Sequence, residues 1–354
     1  MPHGEFPARG WQYLQFLHNF VVNPLRIKHS IILTLIMAVI LFTFISCSKH
    51  KPPKITKPSS DLVEIPTKGN DEASKYLVQG IAHSRQKKYK EAVLDFNKAL
   101  TLDPKRAYAY YCRGYVKNET ALYSEAIDDF NVCLQFNKSD ALAFNQRGYA
   151  EYKLRRYAEA HADYTIAIET NPKLSVAYYN RADLEDEQKS YDDAIKDYTK
   201  AIDLDPNDPF PYINRGNIKD ILKQYDSAVE DYNRAIDLNA KYAKVYSFRG
   251  LAKYHKKDYA GAIEDFSALI ALEPENQTAY VNRGMSSAAL KHYQNALDDY
   301  VKATDLDSQD GKAFYDKAEL ERVMNLRAQS CDDYRKAGSL GFPIPATIAD
   351  EYCK

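Results

Sequence analysis

Two kinds of charged side chain recur along the chain at matched places. Arginines stand at Arg113, Arg147, Arg181, Arg215, Arg249 and Arg283, with Lys317 continuing the series. Aspartates stand at Asp95, Asp129, Asp163, Asp197, Asp231, Asp265, Asp299 and Asp333. A guanidinium offers a planar fork of donors that a carboxylate accepts in pairs. On antiparallel helices at similar heights the two series would form a ladder of ion pairs, worth about 0–1 kcal/mol each where they face solvent. A structural ladder is the expectation and a ligand site the alternative. The residue before the arginine is polar in several cases: Gln146, Asn180, Asn214 and Asn282. An amide both donates and accepts, which suits the backbone of an extended chain whatever its side chains; the competing reading is polar filling of an exposed face. Asp203, Asp205 and Asn207 imitate the opening of a calcium loop, but Asp208 replaces the glycine and Asn214 the closing glutamate, so a loop between helices is expected. The eight histidines are scattered without metal spacing. No phosphate loop, nucleophile elbow or zinc-protease pattern occurs. No catalytic residue, metal site or cofactor is predicted, and a non-enzymatic role is expected.

The frame that must position these residues is a period of 34, seen first in Gly80, Gly114, Gly148, Gly216, Gly250 and Gly284, with Ala182 filling the one gap. Tyrosines from Tyr89 to Tyr293, alanines from Ala92 to Ala296 and the aspartates keep the same grid, and an aromatic follows each aspartate. A period held over so many columns means a solenoid. In one unit, Pro209 to Leu222 reads as a first helix with its prolines in the first turn. Tyr225 to Leu238 reads as a second, with Ala228, Val229, Tyr232, Ala235 and Ile236 on one stripe. A short break at Lys223-Gln224 folds the two into an antiparallel hairpin. One hairpin cannot bury its stripe alone, so the units stack.

The unit resembles the tetratricopeptide repeat. The early aromatic is Tyr76, Tyr110, Phe144, Tyr178, Tyr212, Tyr246, Tyr280 and Phe314, followed by the small residue four later, the second-helix alanines, and closing prolines at Pro104, Pro172, Pro206 and Pro274. The resemblance covers eight units over 73–344, the last degenerate, and implies an all-α, right-handed superhelical solenoid of helix-turn-helix hairpins. It also implies an inner groove in which a row of amides, Gln146, Asn180, Asn214 and Asn282, bonds a peptide backbone, lined further by Tyr111, Tyr115, Asn145, Tyr149, Tyr152, Tyr179, Asp183, Asn217, Asp220, Leu251 and Tyr254. A second reading packs these tyrosines between hairpins. The lysine–asparagine pairing that would hold a terminal carboxylate is missing, so that ligand is not expected.

The ends carry the rest. Ile31 to Ser46 is free of charge, shorter than the roughly 20 residues of a spanning helix, and Cys47 follows directly. Residues 1–46 resemble a bacterial lipoprotein signal, which implies lipidation at Cys47 and a place in the cell envelope facing the periplasm or cell surface. The alternative is a single-pass anchor; lysines at Lys49, Lys51, Lys54 and Lys57 would then hold the repeats in the cytoplasm. Residues 47–72, rich in proline and lysine, read as a flexible linker. Residues 345–354 read as a short capping helix, with Ile344, Ile348 and Tyr352 on one face. Cys331 on the last second helix and Cys353 in the cap either form a disulfide, in an oxidising envelope, or stay separate thiols. Cys133 takes an alanine's place and reads as buried packing. Net charge is −1, from 48 basic and 49 acidic residues, which argues against a general nucleic-acid binder. The expected function is a membrane-tethered scaffold or assembly factor binding extended segments of protein partners; the alternative is a carbohydrate-binding envelope protein using the groove tyrosines.

Overall fold

The structure, a computed structural model, describes residues 71–345 together with Ile348 and Cys353. The anchor expected over 1–46, Cys47, all but the last two residues of the linker over 47–72, and most of the cap over 345–354 lie outside the described residues. Those residues hold sixteen α-helices and no strand. They are α1 (Glu72–Arg85), α2 (Tyr89–Leu102), α3 (Ala107–Glu119), α4 (Tyr123–Phe136), α5 (Ala141–Lys153), α6 (Tyr157–Thr170), α7 (Ser175–Glu187) and α8 (Tyr191–Leu204) in the first half. The second half holds α9 (Pro209–Ile221), α10 (Tyr225–Leu238), α11 (Ala243–His255), α12 (Tyr259–Leu272), α13 (Gln277–Ala289), α14 (Tyr293–Leu306), α15 (Gly311–Val323) and α16 (Arg327–Ser339). Each odd-numbered helix packs along the even-numbered one after it, giving eight hairpins. Odd-numbered helices of successive hairpins also approach one another, whereas the even-numbered helices do not come as close. The first helix of each hairpin therefore lies on the inner side of the stack.

Two turns alternate. Within each hairpin the chain reverses through a left-handed residue: Lys87, Ala121, Arg155, Lys189, Lys223, Lys257, Lys291 and Asn325, at φ from 59° to 69°. At the first, Lys88 donates to the His83 carbonyl and Lys87 to that of Ser84, both at 2.9 Å, the doubly bonded ending that satisfies the last carbonyls of a helix. At five of the seven junctions between hairpins an Asp or Asn closes the second helix and accepts from the backbone two residues on. Asp205 does so from Asn207 at 3.2 Å, so this oxygen of the calcium-like run is spent on the turn.

The core repeats with the turns. The second-helix alanines Ala92, Ala126, Ala160, Ala194, Ala228, Ala262 and Ala296 have no exposed surface. They let the aromatic one turn later reach the small residue of the first helix. A methyl placed on Gly216 would lie 2.8 Å from Cε1 of Tyr232, so this glycine serves close approach rather than an unusual backbone angle.

The arginine and aspartate columns meet as a ladder, and it is half-buried rather than solvent-facing. In the fifth hairpin Arg215 donates from Nε and Nη2 to Asp231 at 3.0 and 2.6 Å, and from Nη1 to Thr199 Oγ1 at 2.9 Å. The first two bonds tie α9 to α10, the third ties α9 back to α8. The same three-way bond occurs at Arg113, Arg147, Arg181, Arg249 and Arg283, whose Nη1 acceptors are Asn97, Asn131, Thr165, Asn233 and Ser267. In the last hairpin Lys317 reaches Asp333 at 3.0 Å, and Val301 occupies the acceptor's place; an ammonium has no fixed fork to fill it.

After α16, Gly341 turns at φ 85°. Phe342, Ile344, Ile348 and Cys353 then pack against Tyr315, Ala318, Tyr334 and Ala337. Cys331 and Cys353 are joined by a disulfide. Cys112 and Cys133 are buried free thiols, and burial pushes both up to about 12.

Candidate functional site

The inner face is formed by the first helices of successive hairpins. At the two positions just after the early aromatic, neighbouring hairpins come so close that the polar side chains bond one another. Asn180 donates from Nδ2 to Asn145 Oδ1 at 3.0 Å. Asn214 donates from Nδ2 to Asp183 Oδ1 at 2.8 Å and to the Tyr179 hydroxyl at 3.1 Å. Asn118 donates to the Gln146 carbonyl at 3.0 Å. Asn145, Gln146, Asn180, Asn282, Tyr149 and Tyr179 are all buried. The reading that places these six on an open groove is corrected: all six are buried, because adjacent first helices approach too closely to leave them uncovered, and Asn145, Gln146, Asn180 and Tyr179 bond from hairpin to hairpin. Tyr111 and Tyr115 are buried with them. Asn214 and Asn217 remain half-exposed, and Asn217 Oδ1 accepts from the Tyr232 hydroxyl at 2.8 Å.

That last bond belongs to a pattern. The aromatic on the second helix is tyrosine or phenylalanine, and its tip meets the residue just after the small residue of its own hairpin. Tyr198 donates to Asp183 at 2.5 Å, Tyr232 to Asn217, and Tyr334 to Glu319 at 2.5 Å. Where the aromatic is Phe96 or Phe266 the facing residue is Ile81 or Leu251, which has nothing to accept. Tyr164 departs from this. It faces Tyr149, has no exposed surface, and its hydroxyl has no hydrogen-bond partner. Burial, with Asp183, Tyr152 and Tyr149 nearby, holds its ionisation well above the usual tyrosine range.

Further open side chains lie nearer the hairpin turns, at positions the sequence did not single out. Glu187 at the end of α7 is exposed. It accepts from the Tyr157 hydroxyl at 2.7 Å and from the Tyr152 hydroxyl. Lys153, at the end of α5, holds its ammonium 5.4 Å from the Tyr149 ring centre and 5.8 Å from that of Tyr152. Burial lowers its proton affinity, against the pull of Glu187 and Asp183. One signal for this site was present: Glu187 stands 30 residues after Tyr157, as Glu119 does after Tyr89, and Tyr89 donates to Glu119 at 3.0 Å.

On the ladder face, three hairpins carry a glutamate where others carry a lysine. Lys117, Lys219 and Lys253 bond the aspartates Asp129, Asp231 and Asp265 at 2.9, 2.8 and 3.0 Å. Glu151, Glu185 and Glu321 hold that position in the third, fourth and eighth hairpins. Burial and the neighbouring Asp197 push Glu185 up to about 7; burial and a hydrogen bond shared with Asp333 raise Glu321. Among the described residues no group of three or more metal-ligating side chains converges, and no helix is long and apolar enough to cross a membrane.

The architecture is that of an all-helical repeat solenoid. Profiles described as tetratricopeptide repeat match residues 145–209, 222–276 and 258–311, and a further one 197–230; one described as TPR repeat matches 82–119. These matches identify the hairpins as tetratricopeptide repeats. A crystal structure of the C-terminal part of a TPR repeat-containing protein from Cytophaga hutchinsonii is 20% identical, with 68% of this chain and 98% of that chain covered and a TM-score of 0.60. A tetratricopeptide repeat protein from Parabacteroides merdae is 17% identical over 70% of this chain and 97% of its own, at a TM-score of 0.49. YrrB, titled a TPR protein with an unusual peptide-binding site, is 22% identical over 51% and 92%, at 0.48. No curated protein matches the chain in sequence.

Proposed function

We propose that this chain is a membrane-tethered scaffold that binds extended segments of protein partners along the inner face of its first helices. Stacked repeats offer extended inner surfaces to partners. The observation that carries the reading is the run of half-exposed polar and aromatic groups left on that face once the inter-hairpin bonds are made: Tyr152, Asn214, Asn217 and Tyr254. Amides and ring faces of this kind hold a polypeptide backbone and its side chains together. The buried tyrosines Tyr111, Tyr115, Tyr149 and Tyr179 offer no free ring face for a sugar, which weakens the carbohydrate reading. The uncharged run before Cys47 and the proline-rich stretch after it support a lipid tether that holds the repeats off a bilayer. The Cys331–Cys353 disulfide suits an oxidising compartment.

Crosslinking and pull-down of the full chain from membranes tests the scaffold. A protein partner should be captured by the wild type and weakened by Asn217→Ala with Tyr254→Ala at unchanged helicity; undiminished capture places the site elsewhere. Intact mass tests the tether, and a membrane form retaining residues 1–46 overturns lipidation at Cys47.

A further inference from the structure

The inner face between the third and fourth hairpins is built to seat a cation. We infer that this part of the groove binds a lysine or arginine side chain of the partner segment, on the half-exposed ring of Tyr152 and against Glu187, with Tyr149 buried behind, and that Lys153 is its built-in occupant. The inference rests on the groove reading above and names the chemistry of its ligand.

Three observations converge. First, a cation is already there: the Lys153 ammonium sits over two tyrosine rings at 5.4 and 5.8 Å, the arrangement by which aromatic faces attract positive charge. Second, the surroundings are anionic. Asp183, Asp186 and Glu187 follow along α7, and both Asp183 and Glu187 act on Lys153. The opposing charges are Lys153 itself and Arg155, which acts on Tyr157. The carboxylate of Glu187 is held in place by the hydroxyls of Tyr152 and Tyr157, so it meets a cation without first being ordered. Third, the Tyr164 hydroxyl behind the tyrosines is fully buried and unpartnered, with Asp183, Tyr149 and Tyr152 as its electrostatic neighbours. Of the tyrosines at its position in other hairpins, Tyr198, Tyr232 and Tyr334 each bond an acceptor in their own hairpin, while Tyr300 faces Met285. An uncompensated buried hydroxyl is tolerated where a site gains from it.

Lys153 pays a desolvation penalty in this seat. Its stem is flexible and the turn beside it is exposed. An incoming guanidinium, planar and less strongly hydrated than an ammonium, stacks better on the Tyr152 ring. Lys153 then swings to solvent, and its presence sets a threshold that a segment without a basic residue does not pass.

The test uses the full chain in detergent and a positional-scanning library of acetylated peptides. Arginine or lysine should be enriched at one position. The selected peptide should lose about tenfold in affinity with Glu187→Gln or Tyr152→Ala, keep more of it with Tyr152→Phe, and gain affinity with Lys153→Met. Asp193→Asn, an exposed acid on α8, should change nothing. Peptides that bind without basic preference, or a loss shared equally by Asp193→Asn, overturn the cation seat and leave the groove reading standing. Absence of any peptide binding overturns both.

Discussion

Replacing Arg181 by methionine should cost the protein more than replacing Arg215, although the two occupy the same position one repeat apart. Both lose a forked bond to an aspartate and a third bond to a threonine: Thr165 for Arg181 at 3.0 Å, Thr199 for Arg215 at 2.9 Å. Methionine keeps most of the buried stem in either case. The difference is what remains. Asp231 retains Lys219 at 2.8 Å, so Arg215→Met removes hydrogen bonds but leaves the carboxylate a counter-charge, for about 1–3 kcal/mol. In the fourth hairpin Glu185 takes the lysine's place, 3.9 Å from Arg181. Arg181→Met leaves two largely buried carboxylates whose remaining ion-pair partner is the His161 ring, 3.5 Å from Glu185, for about 3–5 kcal/mol. Urea unfolding followed by circular dichroism gives both values, provided the slopes match. At pH 5 protonation of Glu185 should narrow the gap. Equal midpoints for the two variants at pH 8, or a larger loss for Arg215→Met, would refute the assignment of the ladder's energetics.

Three further outcomes follow from single features. Lys223→Gly should raise stability by about 0.5–1 kcal/mol in thermal unfolding, because Lys223 holds φ at 60° and only glycine adopts that region without strain; a lower melting temperature contradicts it. Glu185, raised from 4.5 to about 7 in the folded chain, holds its proton more tightly folded than unfolded, so it favours folding least above pH 7. Stability should fall as pH rises from about 4.5 through 7, and Glu185→Gln should flatten that fall; an unchanged pH profile would count against the burial argument. Thiol titration of the denatured, unreduced chain should find Cys112 and Cys133 reactive and Cys331 and Cys353 silent, with Cys47 reactive only if it carries no lipid; reactivity at Cys331 contradicts the staple.

Much of the fold was legible because each column of the repeat plays one part. The glycine column is read from the aromatic it must admit, the alanine column from the same contact, and the helix limits from prolines and polar breaks. The hairpin turns were harder to place, since lysine rather than glycine sits at five of the eight left-handed positions. There the turn is set by two backbone bonds and by packing rather than by local preference. The ladder's pairs were visible as columns; its third bond was not sought, though the acceptors Asn97, Asn131, Thr165, Thr199, Asn233 and Ser267 form a column too, ending at Val301 where lysine replaces arginine. The inner face was read least well. Asn145 and Asn180 look like free amides in sequence, and their fate depends on how closely adjacent first helices approach, a distance that no single repeat encodes. Lys153, Tyr157 and Glu187 come together only across three helices.

The central claim is that partners lie along the first helices. Photo-crosslinking residues placed singly at Leu251 and Tyr254 on α11, and at Lys196 and Lys302 on the second helices α8 and α14, test it directly in intact cells. The account predicts a common protein adduct from the α11 positions and none from α8 or α14. An adduct from Lys196 or Lys302 alone would place the partner on the outer face and contradict it.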